Sequence, residues 1–154
     1  MRENTTLYDR DFYAWAMEQA RLLRSGRLAD ADIENIAEEI ESIGRGEKRE
    51  LVSRLRVLLT HLLKWEYQTQ RRGNSWQRTI RNTRIDLADL LRDNPSLKPI
   101  LQESLETAYA RARDDAASET RLSVKRFPEH CPWNFERAMD EGFWPGMAEA
   151  SGGL

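Results

Sequence analysis

Apolar residues recur every three or four positions through most of the chain, and this spacing predicts helices rather than strands. The first predicted helix begins near Asp9, which can cap it, and ends at Ser25-Gly26, where glycine suits a left-handed helix end. The second begins near Asp30 or Asp32 and ends at Gly44, and its apolar face is rich in isoleucine. The opposite face is acidic and carries Glu34, Glu38, Glu39 and Glu41.

The two glycines of Gly44-Arg45-Gly46 predict a tight turn that sends a third helix back antiparallel to the second. This third helix extends from about Glu47 to Arg72, and its apolar arc is the broadest of the chain. Because a broad arc contacts several neighbours, we expect this helix at the centre of a bundle. The arginines expected to pair with the acidic face across the hairpin are Arg49, Arg54 and Arg56.

Two more helices are predicted after Gly73, which ends the third helix. Ser75 can cap the fourth, which breaks at Asp93-Asn94-Pro95, and Ser96 can cap the fifth. From about Arg121 the helical spacing ends and an irregular, proline-containing passage begins.

Aromatic residues dominate the C-terminal segment, where Asn134 can cap a short last helix that ends at Gly142. Full burial of one large apolar side chain is worth ~1.5–3 kcal/mol, so we expect this segment to pack on the helices. Its large aromatic residues are Trp133, Phe135, Phe143 and Trp144.

The pattern as a whole predicts an all-α protein, an up-and-down bundle of about five helices with the aromatic segment packed on it. We expect a single domain over residues 1–154, with its core in 7–145 and a loose tail at 146–154. Composition agrees: hydrophobic residues make up 40% and charged residues 32%, as in helices with long polar faces. No run of ~18 apolar residues and no apolar leader occurs, so we expect a cytoplasmic protein without a membrane span.

Four stretches together resemble a known bacterial family: DRDFYAWAMEQARLLRSGR, ADIENIAEEIESIG, LVSRLRVLLTHLLKW and CPWNFERAMDEGFWP. The family is catalogued only as domain of unknown function number twenty-nine, and the resemblance covers roughly Leu7 to Pro145. It implies an all-helical, bundle-like fold. It implies no reaction, cofactor or catalytic residue.

His61 lies at the edge of the apolar stripe of the third helix. In the register of the predicted hairpin it comes level with the start of the acidic helix, so we expect a structural pair with Asp30 or Asp32. The alternative is a metal-binding or catalytic site formed by His61, Asp30 and Asp32. Helical di-iron proteins repeat a Glu-x-x-His motif on two helices, and this chain lacks it even though Glu38 and Glu41 form an ExxE pair. We therefore predict no metal and no cofactor.

Cys131 is the single cysteine, which excludes a disulfide within the chain and a cysteine-rich zinc site. The adjacent His130 is a poor candidate for its base, because neighbouring side chains seldom face each other. We interpret Cys131-Pro132-Trp133 as a packed corner. No nucleotide-binding or hydrolase motif occurs, so the residues favour a non-enzymatic protein.

A run of arginines is the most informative feature, because no acidic residue lies between Glu66 and Asp86. Residues one helical turn apart form a row on the fourth helix, and a guanidinium suits bidentate contact with carboxylate or phosphate. The five arginines of the run are Arg71, Arg72, Arg78, Arg81 and Arg84.

Three roles are open for this run. It can pair with acids of the same chain, for which Glu103, Glu106, Asp114 and Asp115 are candidates. It can bind an acidic protein partner or the acidic helix of a second copy, giving a homodimer, since charge complementarity sets partner choice. It can bind nucleic acid, but the net charge is −2 and no recognition motif is present. We predict a helical interaction module that binds an acidic partner or self-associates through the arginines.

Overall fold

The computed structural model describes residues 6–147, and in that range it contains six α-helices and no strand. The all-α prediction is confirmed. The expected loose tail lies outside the described residues from position 148 onward. The helices are α1 (Leu7–Arg10), α2 (Phe12–Arg24), α3 (Ile33–Tyr67), α4 (Asn74–Asp93), α5 (Leu101–Thr120) and α6 (Phe135–Met139).

Two compact units divide the chain, one up to Gly46 and one from Glu47 onward. Helix α3 contributes its first part to one unit and its remainder to the other. The expectation of a single domain stays a prediction.

The predicted hairpin at Gly44-Arg45-Gly46 is wrong, because both glycines lie inside α3 and neither has a positive φ. A glycine inside a helix costs only about 0.5–1 kcal/mol relative to alanine, which long helical segments on both sides can offset. The predicted ion pairs across the hairpin are wrong as well. Glu38 and Glu41 pair with Arg45. In the second unit, Arg54 pairs with Glu50 and Asp86, and Arg56 pairs with Asp115.

In the first unit, polar side chains join α2 to the start of α3. The helix cap is Asp11, not Asp9: its carboxylate accepts from the Ala14 amide at 3.1 Å. Trp15 and Gln19 are buried, and both bind Asp32. The Trp15 Nε1 donates to the Asp32 carboxylate at 3.0 Å, and the Asp32 amide donates to Gln19 Oε1 at 2.7 Å.

In the second unit, α3 supplies the centre of the core, as its broad apolar arc predicts. Helix α5 packs closely because its inward positions are mostly alanine. The residues of α3 with no exposed surface are Leu51, Leu55, Leu58, Leu59, Leu62 and Leu63, and those of α5 include Leu105, Ala108, Ala112 and Ala116.

Several predicted boundaries shift by a few residues. Gly73, rather than Ser75, occupies the N-cap position of α4. The two prolines near Ser96 lie in a 3-10 turn, Pro95–Ile100, so α5 begins only at Leu101. A proline lacks the N–H that a regular helix uses, which accounts for the tighter turn. Asn134 caps α6 as predicted, accepting from the Arg137 amide at 2.8 Å, but the helix ends at Met139.

Candidate functional site

The five arginines of the basic run divide into two groups. Arg72 and Arg84 turn inward and bind backbone carbonyls of the C-terminal segment. Arg71, Arg78 and Arg81 are exposed, Arg71 on the 3-10 turn Thr69–Arg71 and the other two on α4.

Arg84 is only 3% exposed and holds the C-terminal segment against α4. Its Nε donates to the Ala138 carbonyl at 2.9 Å, and its Nη2 donates to the Phe143 carbonyl at 2.8 Å. Burial lowers the pKa of Arg84, whereas the charges of Asp140 and Glu141 raise it. An arginine stays protonated in proteins, so this is a buried cation whose hydrogen bonds go to backbone oxygens.

Arg72 makes a second connection to the same segment. Its Nε donates to the Trp65 carbonyl at 2.6 Å, and its Nη2 donates to the Pro145 carbonyl at 3.3 Å. The next residue, Gly146, has a φ of +74°, and a Cβ there would lie 3.0 Å from Arg72 Nη2. The left-handed backbone conformation therefore favours glycine at this position, and an added Cβ would displace the Arg72 guanidinium slightly.

The Trp144 ring lies among the groups that these arginines bring together. Its centroid is 4.8 Å from that of Trp65, and the guanidinium carbons of Arg84 and Arg81 lie 5.5 Å and 5.8 Å from it. These are cation–π distances. With Phe127 buried and Trp133 and Phe135 also packed on the core, the expectation that the C-terminal segment packs on the helices is confirmed.

The outward face of α4 presents Arg78 and Arg81, one helical turn apart. Among residues 6–147 neither has a salt bridge, and the guanidinium of Arg81 lies over the Trp144 ring. Both line an open cleft of about 250 Å³. Its other lining residues are amides that can donate and accept hydrogen bonds: Asn74, Gln77 and Asn82.

Three of the four acids expected to neutralise this row have other partners. Glu103 pairs with Lys48 at 2.9 Å, Glu106 accepts from Gln102, and Asp115 pairs with Arg56. A carboxylate does line a neighbouring cleft of about 340 Å³: Glu141, with Arg81, Arg84 and Ile85. The exposed guanidiniums of Arg78 and Arg81 are therefore open to an external carboxylate.

A larger open cleft of about 720 Å³ lies beside Trp144 and is lined by Trp133, Phe143 and Glu66 among others. Burial raises the pKa of Glu66, and the charge of Arg72 lowers it. The Phe143 ring already has a cation above it, because the Arg137 guanidinium carbon lies 4.4 Å from its centroid. The described lining residues include no cysteine, serine or histidine that could form a nucleophile–base pair.

His61 and the two aspartates predicted to pair with it have other partners. His61 Nδ1 is 2.9 Å from the Val57 carbonyl, which implies that this nitrogen carries the proton. Asp30 pairs with Arg27, and Asp32 accepts from Trp15 and Asn35. The prediction that His61 lies near Asp30 and Asp32 assumed a hairpin at Gly44–Gly46. Because α3 is continuous through these glycines, the chain does not turn back there. Among the described residues, no three His, Cys, Asp or Glu side chains converge as metal ligands.

Cys131 lies in the packed corner that the sequence predicts. Its Sγ donates to the Trp133 carbonyl at 3.2 Å, and the side chain packs on the core. Burial raises the pKa of the thiol. His130 is exposed, whereas a reactive cysteine needs a base or cation that stabilises the thiolate.

Two features of this site were not predicted from the sequence. The first is the set of amide side chains beside the arginines, Asn74, Gln77 and Asn82, which follow no recognisable sequence pattern. The inward position of Arg84 did have a signal, because Arg84 lies between Ile80 and Leu87 at the helical spacing of the buried face of α4. A charged residue in such a stripe needs a buried partner.

Comparison with models of protein families identifies the family of this chain. The model described as a domain of unknown function, DUF29, matches residues 7–144. The chain belongs to this family. The match confirms the resemblance seen in the sequence, and the DUF29 description assigns no activity. No curated protein and no solved structure matches the chain. Within residues 6–147, the DUF29 fold includes no helix with the length and apolar character to cross a membrane.

Proposed function

We propose that this DUF29 protein is a non-enzymatic interaction module that binds an acidic protein surface through the outward face of α4. The residues that contact the partner are Arg78 and Arg81, with Arg71 on the preceding turn. The observation that carries the proposal is the pair of exposed arginines, one turn apart, without a salt bridge among residues 6–147.

The chemistry of this face suits carboxylates on another protein. A guanidinium binds a carboxylate through two parallel hydrogen bonds, and two of them one turn apart can bind two acidic side chains. The amides of Asn74, Gln77 and Asn82 can bind the backbone of the same segment. Arg84, fixed by the C-terminal segment, holds α4 in place beneath the exposed pair.

A protein partner suits the surroundings better than nucleic acid. The exposed part of α4 also carries Ile85, 54% exposed, which offers apolar contact but no phosphate contact. The sequence also contains no nucleic-acid recognition motif.

Binding to two labelled probes tests the proposal: a poly-glutamate peptide and a short DNA duplex, both measured by fluorescence anisotropy at low salt. We expect the peptide to bind the wild type and to lose at least tenfold in affinity with Arg78→Glu/Arg81→Glu. Arg111→Glu/Lys125→Glu is the matched control, since it changes the net charge equally at two other exposed positions. Binding of the duplex alone, or equal losses in both variants, would contradict the proposal.

A further inference from the structure

The first unit leaves most of its large apolar side chains in solvent. Of the twelve exposed large hydrophobic residues among residues 6–147, nine lie before Gly46, whereas Trp15 and Leu22 are the buried apolar residues of that unit. Single exposed apolar side chains are ordinary, whereas contiguous apolar patches are rare on monomeric proteins and mark binding sites for proteins, membranes or ligands.

Part of this surface forms a straight stripe along the first turns of α3. Ile33, Ala37, Ile40 and Gly44 follow one another at intervals of four, three and four residues, which places them on one side of a helix. Ile33 is 50% exposed and Ile40 is 64% exposed, and Ala37 and Gly44 are exposed as well. The stripe is therefore an uncovered seam.

Gly44 leaves room on this seam for the close approach of a second helix. A glycine inside a helix weakens it, and no atom lies within 4 Å of where a Cβ of Gly44 would be. The fold of the described chain gives no reason for a missing side chain there. A second helix that approaches closely would supply that reason, since small residues let two helix backbones come near each other.

The stripe is complementary to itself when two copies run antiparallel. With Ala37 opposite Ile40 of the second copy, Ile33 falls opposite Gly44, so each isoleucine faces a small residue. Large-against-small alternation is how facing helices interdigitate. The match holds in both directions, as a twofold-symmetric contact requires.

We infer that this protein forms a symmetric dimer in which the Ile33–Gly44 stripe of α3 packs antiparallel against the same stripe of a second copy. Another exposed apolar residue of the same unit is Phe12, whose ring centroid lies 5.8 Å from that of Tyr8. The dimer does not depend on the arginine face of α4.

Mass measurement by light scattering over a range of concentrations tests the dimer with the full chain. We expect the wild type to approach twice 18.0 kDa and Ile40→Glu to remain at 18.0 kDa. Ile85→Glu, a matched change at an exposed isoleucine of α4, should keep the wild-type mass.

Gly44→Leu separates dimerisation from folding. The substitution favours helix formation in the single chain and blocks close approach of the second copy, so helicity should be kept while the mass falls to 18.0 kDa. Gly46→Leu is the control, because no atom lies within 4 Å of a Cβ at Gly46 either, yet it lies off the stripe.

Cysteine cross-linking tests the register in a Cys131→Ser background. A mixture of Ala37→Cys and Ile40→Cys chains should form an intermolecular disulfide readily. Ile33→Cys chains should not cross-link with one another. Each Ile33 lies opposite Gly44 of the second copy, so the two Ile33 positions are about 16 Å apart along the helices at 1.5 Å per residue.

Three results would each overturn the inference. The wild type could stay at 18.0 kDa at every concentration. The dimer could survive Ile40→Glu and Gly44→Leu yet dissociate with Arg78→Glu/Arg81→Glu, which would place the contact on the arginine face and support the proposed function instead. The Ile33→Cys chains could cross-link as fast as the Ala37→Cys and Ile40→Cys mixture.

Discussion

The guanidinium of Arg84 donates to the carbonyl of Phe143, 59 residues later in the chain, at 2.8 Å. Arg84 also donates to the carbonyl of Ala138, and the two hydrogen bonds anchor the C-terminal segment on α4. The run thus has two roles in the structure: some of its arginines hold the fold, and others remain available at the surface.

Removing the anchor should destabilise the protein strongly. Arg84→Ala leaves the carbonyls of Ala138 and Phe143 without their donor, and a buried polar group without a partner costs about 1–3 kcal/mol. We expect the free energy of unfolding to fall by about 2–4 kcal/mol in urea titrations followed by tryptophan fluorescence. Arg78→Ala, an exposed member of the same row, should change it by less than about 0.5 kcal/mol. Equal effects of the two variants would contradict the inward role of Arg84.

Two glycine-to-alanine substitutions should act in opposite directions. Gly146→Ala forces a side chain into a left-handed conformation 3.0 Å from Arg72 Nη2, so we expect a loss of about 1–2 kcal/mol in the free energy of unfolding. Gly46→Ala places a better helix former inside α3 where nothing obstructs a Cβ, so we expect a gain of about 0.5–1 kcal/mol. Thermal unfolding followed by circular dichroism distinguishes the signs. A destabilising Gly46→Ala would argue for the predicted turn instead of a continuous helix.

Acid should weaken the fold partly through His61. Burial lowers the pKa of His61 below its usual 6.5, the hydrogen bond to Val57 raises it, and the Lys64 charge lowers it. The unfolded chain therefore binds a proton more readily than the folded one. This contribution to stability is complete above about pH 6.5 and declines as the pH falls through the unfolded and then the folded pKa.

The measurement is the free energy of unfolding against pH for the wild type and His61→Gln. We expect a shallower decline below about pH 6.5 in the variant. His130→Gln, a change at the exposed histidine, is the matched control. An unchanged slope in His61→Gln would mean that other groups account for the acid sensitivity.

Alkali should act on the first unit through Tyr8. The hydrogen bond to Glu39 raises the pKa of Tyr8 to about 12, from an ordinary 10.0. A raised pKa means that the neutral phenol favours the folded state, so this contribution is complete below pH 10.0 and is lost as the pH approaches 12. Ultraviolet titration of tyrosinate should therefore lose a late-ionising component in Tyr8→Phe. Loss of an early component instead would contradict the bond to Glu39.

Local pattern was enough for much of the fold. Helical spacing predicted α2, α4 and α5 within a few residues, because the positions of apolar residues in an amphipathic helix show which face is buried. The cap at Asn134 was also readable, since a capping side chain binds an amide only three residues away. Membership of the helical class and the placement of α3 at the centre of the second unit rest on the same local signals.

The hairpin at Gly44-Arg45-Gly46 and the roles of the arginines depended on more than local sequence. Glycine propensity favours a turn by only about 1 kcal/mol, so the helix on either side can override it. Arg84 and Arg78 are alike as sequence letters, and the difference between them is the backbone of residues 138–143 packed on one side of α4. By itself the sequence determined where helices form and which faces are apolar. Only the tertiary structure decided which charges are buried, because burial depends on contacts with residues more than fifty positions away.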